Sequence, residues 1–128
     1  MWKSVAAVSV GGTLGCLFRW WLALQLNRLF PALPPGTLAA NLIGGYIIGA
    51  AIGYFALNTA APPEWRLFVM TGFCGGLTTF STFSAEVFIL LARAQIGLAL
   101  AEVAMHLLGS LGATALGVLT MRLVLAVG

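Results

Sequence analysis

Charge is nearly missing from this chain. Six Lys and Arg and three Asp and Glu stand among 128 residues, 7% of the total, where a soluble domain carries about 25% because its surface faces water. So few charges cannot clothe a soluble surface, and a lipid bilayer removes the need for them. The basic residues are also dispersed: Lys3, Arg19, Arg28, Arg66, Arg93 and Arg122 lie singly along the chain. A nucleic-acid ligand needs clustered cations, so the net charge of +3 does not imply one. Cysteine is scarce too. Cys16 and Cys74 fall inside apolar segments without metal-ligand spacing and read as small buried hydrophobes, silent on redox compartment. No nucleotide-binding loop, nucleophile-and-base pair or redox motif occurs, which argues against an enzyme. No A-x-A-like site follows the first apolar run, so that run reads as a retained span rather than a signal peptide.

What the chain has in plenty is apolar length. A helix crosses a bilayer with about 20 mainly apolar residues. Four stretches qualify: Ser4 to Leu29, Gly36 to Leu57, Trp65 to Leu91 and Gly97 to Leu125. Pro31, Pro34 and Pro35 separate the first two, Asn58 to Pro63 the next two, and Arg93 to Gly97 the last two. Glu64 suits a helix start. The expectation is an all-α integral membrane protein, with residues 1–128 forming a single four-span transmembrane domain.

An even number of spans puts both termini on one side, with Lys3, Arg66 and Arg122 there and Arg28 and Arg93 opposite. Lys and Arg in short loops set orientation by their cytoplasmic excess, and here the excess is close to nil. Either protomers insert both ways and pair antiparallel, or a weak bias or a partner protein decides. Four helices this size fill their own centre with side chains, so a permeation route calls for a second protomer. Small residues recur at helical spacing: Gly45, Gly49 and Gly53; Gly11 and Gly15; Gly109, Ala113 and Gly117. Such faces bring backbones together, within a protomer or between protomers.

The third span carries the most information. Its middle reads Gly72-Phe73-Cys74-Gly75-Gly76-Leu77-Thr78-Thr79-Phe80-Ser81-Thr82-Phe83-Ser84. Each interior Gly weakens a helix by about 1 kcal/mol relative to Ala, and a cluster of hydroxyls follows. Non-helical backbone at membrane depth survives only inside protein or beside a wet cavity, and a broken helix there is an ion-site device. The alternative is a kink with hydroxyls bonded back to the preceding turn. After the break, Phe80 and Phe83 share one face, and Thr79, Thr82 and Glu86 another. Glu102, His106, Ser110 and Thr114 recur every four residues in the fourth span, as do Thr37 and Asn41 in the second. Three polar stripes in three of four spans point to a polar path, although Glu102 and His106 also stand at the spacing of a simple pair. Arg19 is the one cation well inside a span. It either draws anions to a vestibule, snorkels to headgroups, or pairs with Glu86 or Glu102.

With Asn41 and Arg19 in the preceding spans, the Gly72–Ser84 segment resembles the Fluc (CrcB) family of bacterial fluoride channels, and the likeness extends over nearly the whole chain. That resemblance implies an antiparallel dual-topology homodimer in the bacterial inner membrane, with two fluoride pores and a third span broken near its middle. It implies a central structural Na+ held by the backbone carbonyls of Gly75 and Thr78 from both protomers. Phe80 and Phe83 would form the aromatic box, Asn41 the pore asparagine, and Ser110 part of the polar track. Thr79, Ser81, Thr82, Ser84, Glu86 and His106 would line the walls, with Arg19 attracting the anion.

The chemistry agrees. Small, strongly hydrated fluoride needs close donors in place of water, which Asn amides and hydroxyls supply and phenyl edges supplement. Transport would be passive, since 100 mV acting on one charge is worth about 2.3 kcal/mol. Two rival classes remain: a small proton-coupled drug exporter, which needs a deep acidic group, and a non-transporting assembly subunit, which leaves the hydroxyl and phenylalanine stripes unexplained.

Overall fold

The computed structural model describes residues Met1–Gly128 and contains four long helices: α1 (Trp2–Leu26), α2 (Pro35–Leu57), α3 (Pro63–Ala92, interrupted) and α4 (Ile96–Val127). Each is long and apolar enough to cross a membrane. Even the 23 residues of α2 outreach the hydrocarbon core of about 30 Å at a rise of about 1.5 Å per residue. The chain is thus an all-helical, multi-pass membrane protein.

The helix ends follow the prolines, with one clear difference from expectation. The first helix stops at Leu26 rather than Leu29. Asn27 is the reason: its side-chain oxygen reaches across the turn and accepts the Gly36 N–H at 2.8 Å, covering one of the donors that a helix start leaves open. Pro35 and Pro63 occupy first helical turns, where a missing N–H does no harm. At the other end of α3, the Gln95 N–H donates to the Leu90 carbonyl and the Ala94 N–H to the Leu91 carbonyl, both at 2.9 Å. This is a Schellman turn, and Ala94 sits in it at φ 56, the only non-glycine at positive φ. Ala94→Gly removes a Cβ clash worth about 1–2 kcal/mol, partly offset by glycine's greater freedom when unfolded. The variant should therefore melt a few degrees higher in detergent (about 0.5–1 kcal/mol); an unchanged or lower midpoint in a fluorescence melt would speak against this strain.

Two glycine seams organise the bundle, and both lie within one protomer. In the first, α1 meets α3: a Cβ on Gly72 would sit 3.1 Å from the Gly11 Cα, and one on Gly15 would sit 2.8 Å from the Leu77 nitrogen. In the second, α2 meets α4: a Cβ on Gly49 would lie 3.0 Å from the Thr114 Cα, and one on Gly117 would lie 2.8 Å from the Ala50 nitrogen. Backbones this close gain dispersion contact along their length, the main attraction available between helices in lipid. A small apolar centre of Leu22, Ala40 and Leu77, flanked by Phe18 and Phe73, joins the two pairs. Large apolar side chains stand outside instead, among them Trp20, Trp21, Leu107, Leu108 and Leu111, as befits a surface that meets acyl chains or another protein.

Two glycines of α3, Gly72 and Gly76, turn out to be packing residues, and none of Gly72, Gly75 and Gly76 is the site of the interruption. Leu67–Cys74 is wound in wide, π-type turns and Gly75–Leu77 is α-helical; the chain breaks only after Leu77. Gly72 and Gly76 face α1, while nothing lies within 4 Å of a Cβ on Gly75.

Candidate functional site

The interruption consists of two extended residues, Thr78 (φ −80, ψ 154) and Thr79 (φ −151, ψ 121), before the helix resumes at Phe80. Extended backbone inside a bilayer must find other partners, and the α2 residue Asn41 supplies them. Its Oδ1 accepts the Thr79 N–H at 2.8 Å, and its Nδ2 donates to the Thr79 carbonyl at 3.0 Å. One side-chain amide thus takes both polar groups of one peptide residue. The Thr79 hydroxyl caps the new helix by accepting the Thr82 N–H at 3.1 Å, the usual service of an N-terminal threonine.

These bonds settle the orientation of a further group. Because Oδ1 must accept from Thr79, it is Nδ2 that lies 3.0 Å from Nδ1 of His106. Nδ2 can only donate, so the His106 Nδ1 accepts and the ring hydrogen sits on Nε2. Both amide hydrogens of Asn41 are then engaged. In this arrangement Asn41 holds the break, and an ion would gain one of its N–H groups only in exchange for His106 or Thr79.

The same bonds strand two carbonyls. In a continuous helix the Gly75 carbonyl would receive the Thr79 N–H and the Thr78 carbonyl the Thr82 N–H. Asn41 and the Thr79 hydroxyl take those donors, leaving both carbonyls without a protein donor. They are the two that the family resemblance assigns to Na+, and unwound carbonyls are suitable sodium ligands; the residues fit the ion. The neighbouring Gly76 carbonyl is served differently, accepting from the Arg19 Nε at 3.0 Å. Arg19 therefore caps the carbonyl end of the first half-helix, where a cation is favoured, and pairs with neither Glu86 nor Glu102. On the other side of the break, the first N–H groups of the new helix, those of Phe80 and Ser81, meet no protein acceptor.

A groove of ≈ 740 Å³ runs past this break and gathers Asn41, Thr79, Phe80, Phe83, Ser84 and Ser110, with Gly75 and Thr78 in its wall. The Phe80 and Phe83 rings meet edge to face, centroids 5.5 Å apart at 65°, and Phe83 lies 4.5 Å from the His106 ring. Phe80 is 78% exposed, which leaves its ring free to meet an ion or another protomer. The remaining expected site residues divide. Ser81 shares a shallow depression with Phe80 and Ser84 and lies 3.2 Å from the Thr79 hydroxyl. Thr82 turns inward, accepting from the Thr79 hydroxyl at 3.1 Å. Thr114 bonds back to the Ser110 carbonyl at 2.9 Å, so the lower part of that stripe follows the plain reading of a hydroxyl satisfied by its own helix.

Three helices also converge on a polar cluster. The Thr37 hydroxyl donates to Glu86 at 2.6 Å, and the His106 Nε2 lies 3.7 Å from Glu102. The carboxylates and imidazole fall within 4.8 Å of one another. With Nδ1 engaged by Asn41 and a hydrogen on Nε2, His106 has no lone pair to offer a metal here. Sequence reasoning missed Asn27 and the Gly76 carbonyl as partners. A turn Asn is a weak signal for the first, and main-chain carbonyls leave none for the second.

The family described as "CrcB-like protein, Camphor Resistance (CrcB)" matches residues 6–118. The chain belongs to this CrcB-like family. Relatives of this CrcB-like chain match along almost their full lengths. A protein of Pseudomonas paraeruginosa is 58% identical over 122 residues, covering 95% of this chain and 96% of its own. One of Chromobacterium violaceum is 58% identical over 118 residues (92% and 94%), and one of Burkholderia orbicola 57% over 127 (99% and 99%). All three carry the name fluoride-specific ion channel FluC, an ion channel rather than an enzyme.

Proposed function

We propose that this protein is a passive, fluoride-selective channel that lets fluoride leave the bacterial cytoplasm across the inner membrane. It works as an antiparallel dual-topology homodimer with two pores and a structural Na+ at the dimer centre. The observation that carries this reading is the near-complete match, at 58% identity over 95% of the chain, to a protein named as a fluoride channel. The groove at the helix break supports it with suitable chemistry.

Fluoride gives up water only where donors stand close. Along the groove these are the hydroxyls of Ser84 and Ser110, with Ser81 beside the Phe80 edge and Thr79 and Thr82 holding the helix restart. The Phe80 and Phe83 ring edges are positive, and selectivity comes from pore width and donor geometry together. Asn41 keeps the break open, while Arg19 steadies the carbonyl end and adds positive potential. The stranded carbonyls of Gly75 and Thr78, doubled by the second protomer, would hold the sodium, which would supply positive charge at the breaks.

The test is fluoride efflux from liposomes reconstituted with the purified protein, read with an ion-selective electrode after charge is shunted by a potassium ionophore. Rapid efflux without chloride movement and without need of a proton gradient is expected. Phe80→Ile, which removes the ring edge while keeping apolar bulk, should slow it by about two- to tenfold (an edge contact of about 0.5–1.5 kcal/mol) with the dimer intact on size exclusion. Drug-coupled proton movement without fluoride efflux would transfer the protein to the exporter class.

A further inference from the structure

We propose that Glu86 and Glu102 bind one proton between them, as a carboxylic acid–carboxylate pair set beside the groove. Glu102 is 2% exposed, and neither its Oε2 nor the Oε2 of Glu86 has a partner. Oxygens of the two carboxylates fall within 4.8 Å of each other, and two buried acids that each keep an orphan oxygen so near are a rare arrangement. A single proton satisfies both, since the protonated oxygen donates to the ionised one. Without it, two negative charges would face each other in low dielectric, the situation in which adjacent carboxylates share a proton.

The surroundings offer nothing else to neutralise the pair. From α2, Thr37 donates one hydrogen bond to Glu86, and Asn41 is spent on Thr79 and His106. From α4, His106 contributes only its Nε2–H toward Glu102 at 3.7 Å, and no Lys or Arg forms an ion pair with either acid. The α1 cation Arg19 is held at the Gly76 carbonyl. A divalent ion fits less well than a proton, because ligation by His106 would require Nδ1 to carry the hydrogen and so break the bond to Asn41.

The step is simple: as pH rises, the carboxyl O–H breaks, its proton passes to water, and both acids are left ionised. The pair reaches the break through His106, which touches Glu102 on one side and Asn41 and Phe83 on the other. The proton site thereby tunes the groove. An added negative charge a few ångströms away lowers anion occupancy by roughly tenfold.

Only the second arm of the test depends on the fluoride reading. In the first, infrared difference spectra of the reconstituted protein between mildly acidic and mildly alkaline buffer should show the carbonyl stretch of a protonated, buried carboxyl lost on alkalinisation. The band should be missing in both Glu102→Gln and Glu86→Gln, where the amide donates in place of the acid. In the second arm, wild-type fluoride efflux should fall roughly tenfold over the same range, while that of Glu102→Gln stays flat with pH. No carboxyl band in the wild type, or a band surviving in both variants, overturns the proposal. So does a band abolished by a zinc salt at constant pH, which would make the site a metal site.

Discussion

Asn41→Asp is expected to reduce fluoride efflux about a hundredfold, although the change replaces one NH2 by oxygen and alters shape hardly at all. The acceptor for the Thr79 N–H is kept. Both donors are lost, and in their place an oxygen faces the Thr79 carbonyl and the His106 Nδ1 at the former 3.0 Å contacts. The Thr79 carbonyl, left without its donor, costs about 1–3 kcal/mol. His106 can meet the new oxygen only by moving its ring hydrogen from Nε2, beside Glu102, to Nδ1. Together these amount to the two orders of magnitude expected, at about 1.4 kcal/mol per tenfold. The new carboxylate also repels the anion. Full wild-type efflux in Asn41→Asp would mean that the amide does not hold the break.

The second large effect concerns assembly. Gly49→Ala adds one methyl, but its Cβ would overlap the Thr114 carbonyl oxygen and lie 2.9 Å from the carbonyl carbon. These are backbone atoms that cannot rotate away, so α2 and α4 must separate along the whole seam. Overpacking of this kind costs about 1–3 kcal/mol, and a membrane protein with few buried side chains has little to offset it. The expected result is a midpoint lowered by several degrees and a poor yield of folded protein in detergent. Gly97→Ala makes the contrast: nothing lies within 4 Å of its Cβ, and at this first-turn position Ala is tolerated at no packing cost. Equal behaviour of the two variants would dissolve the seam as a structural explanation.

Much of the architecture could be read directly from residue order. Four apolar runs fenced by Pro31 to Pro35, Asn58 to Pro63 and Arg93 to Gly97 appear as four helices because the bilayer imposes one length on any segment that crosses it. The break in the third span was legible as an event but not in its position. Gly72, Gly75 and Gly76 looked like its cause, since glycine weakens helices, whereas the interruption lies at Thr78 and Thr79. What decides the matter is a side chain 38 positions away, and local propensity carries no record of a long-range partner. Arg19 is a similar case. Three roles were open to it, and its actual neighbour is a main-chain carbonyl, which no residue letter announces. Glu102 and His106 were legible because one helical turn joins them, while the meeting of Thr37 with Glu86 depends on how three helices rotate against one another. The glycine faces left open whether they served one protomer or two, and their closest neighbours turn out to be in the same chain.

The clasp of Asn41 on Thr79 also bears on biogenesis. Before α2 lies alongside, an interrupted third segment would expose bare peptide groups to hydrocarbon, at several kcal/mol for each, whereas the same residues wound continuously would expose none. Docking of α2 is therefore what makes the extended form of these two residues tolerable within the bilayer.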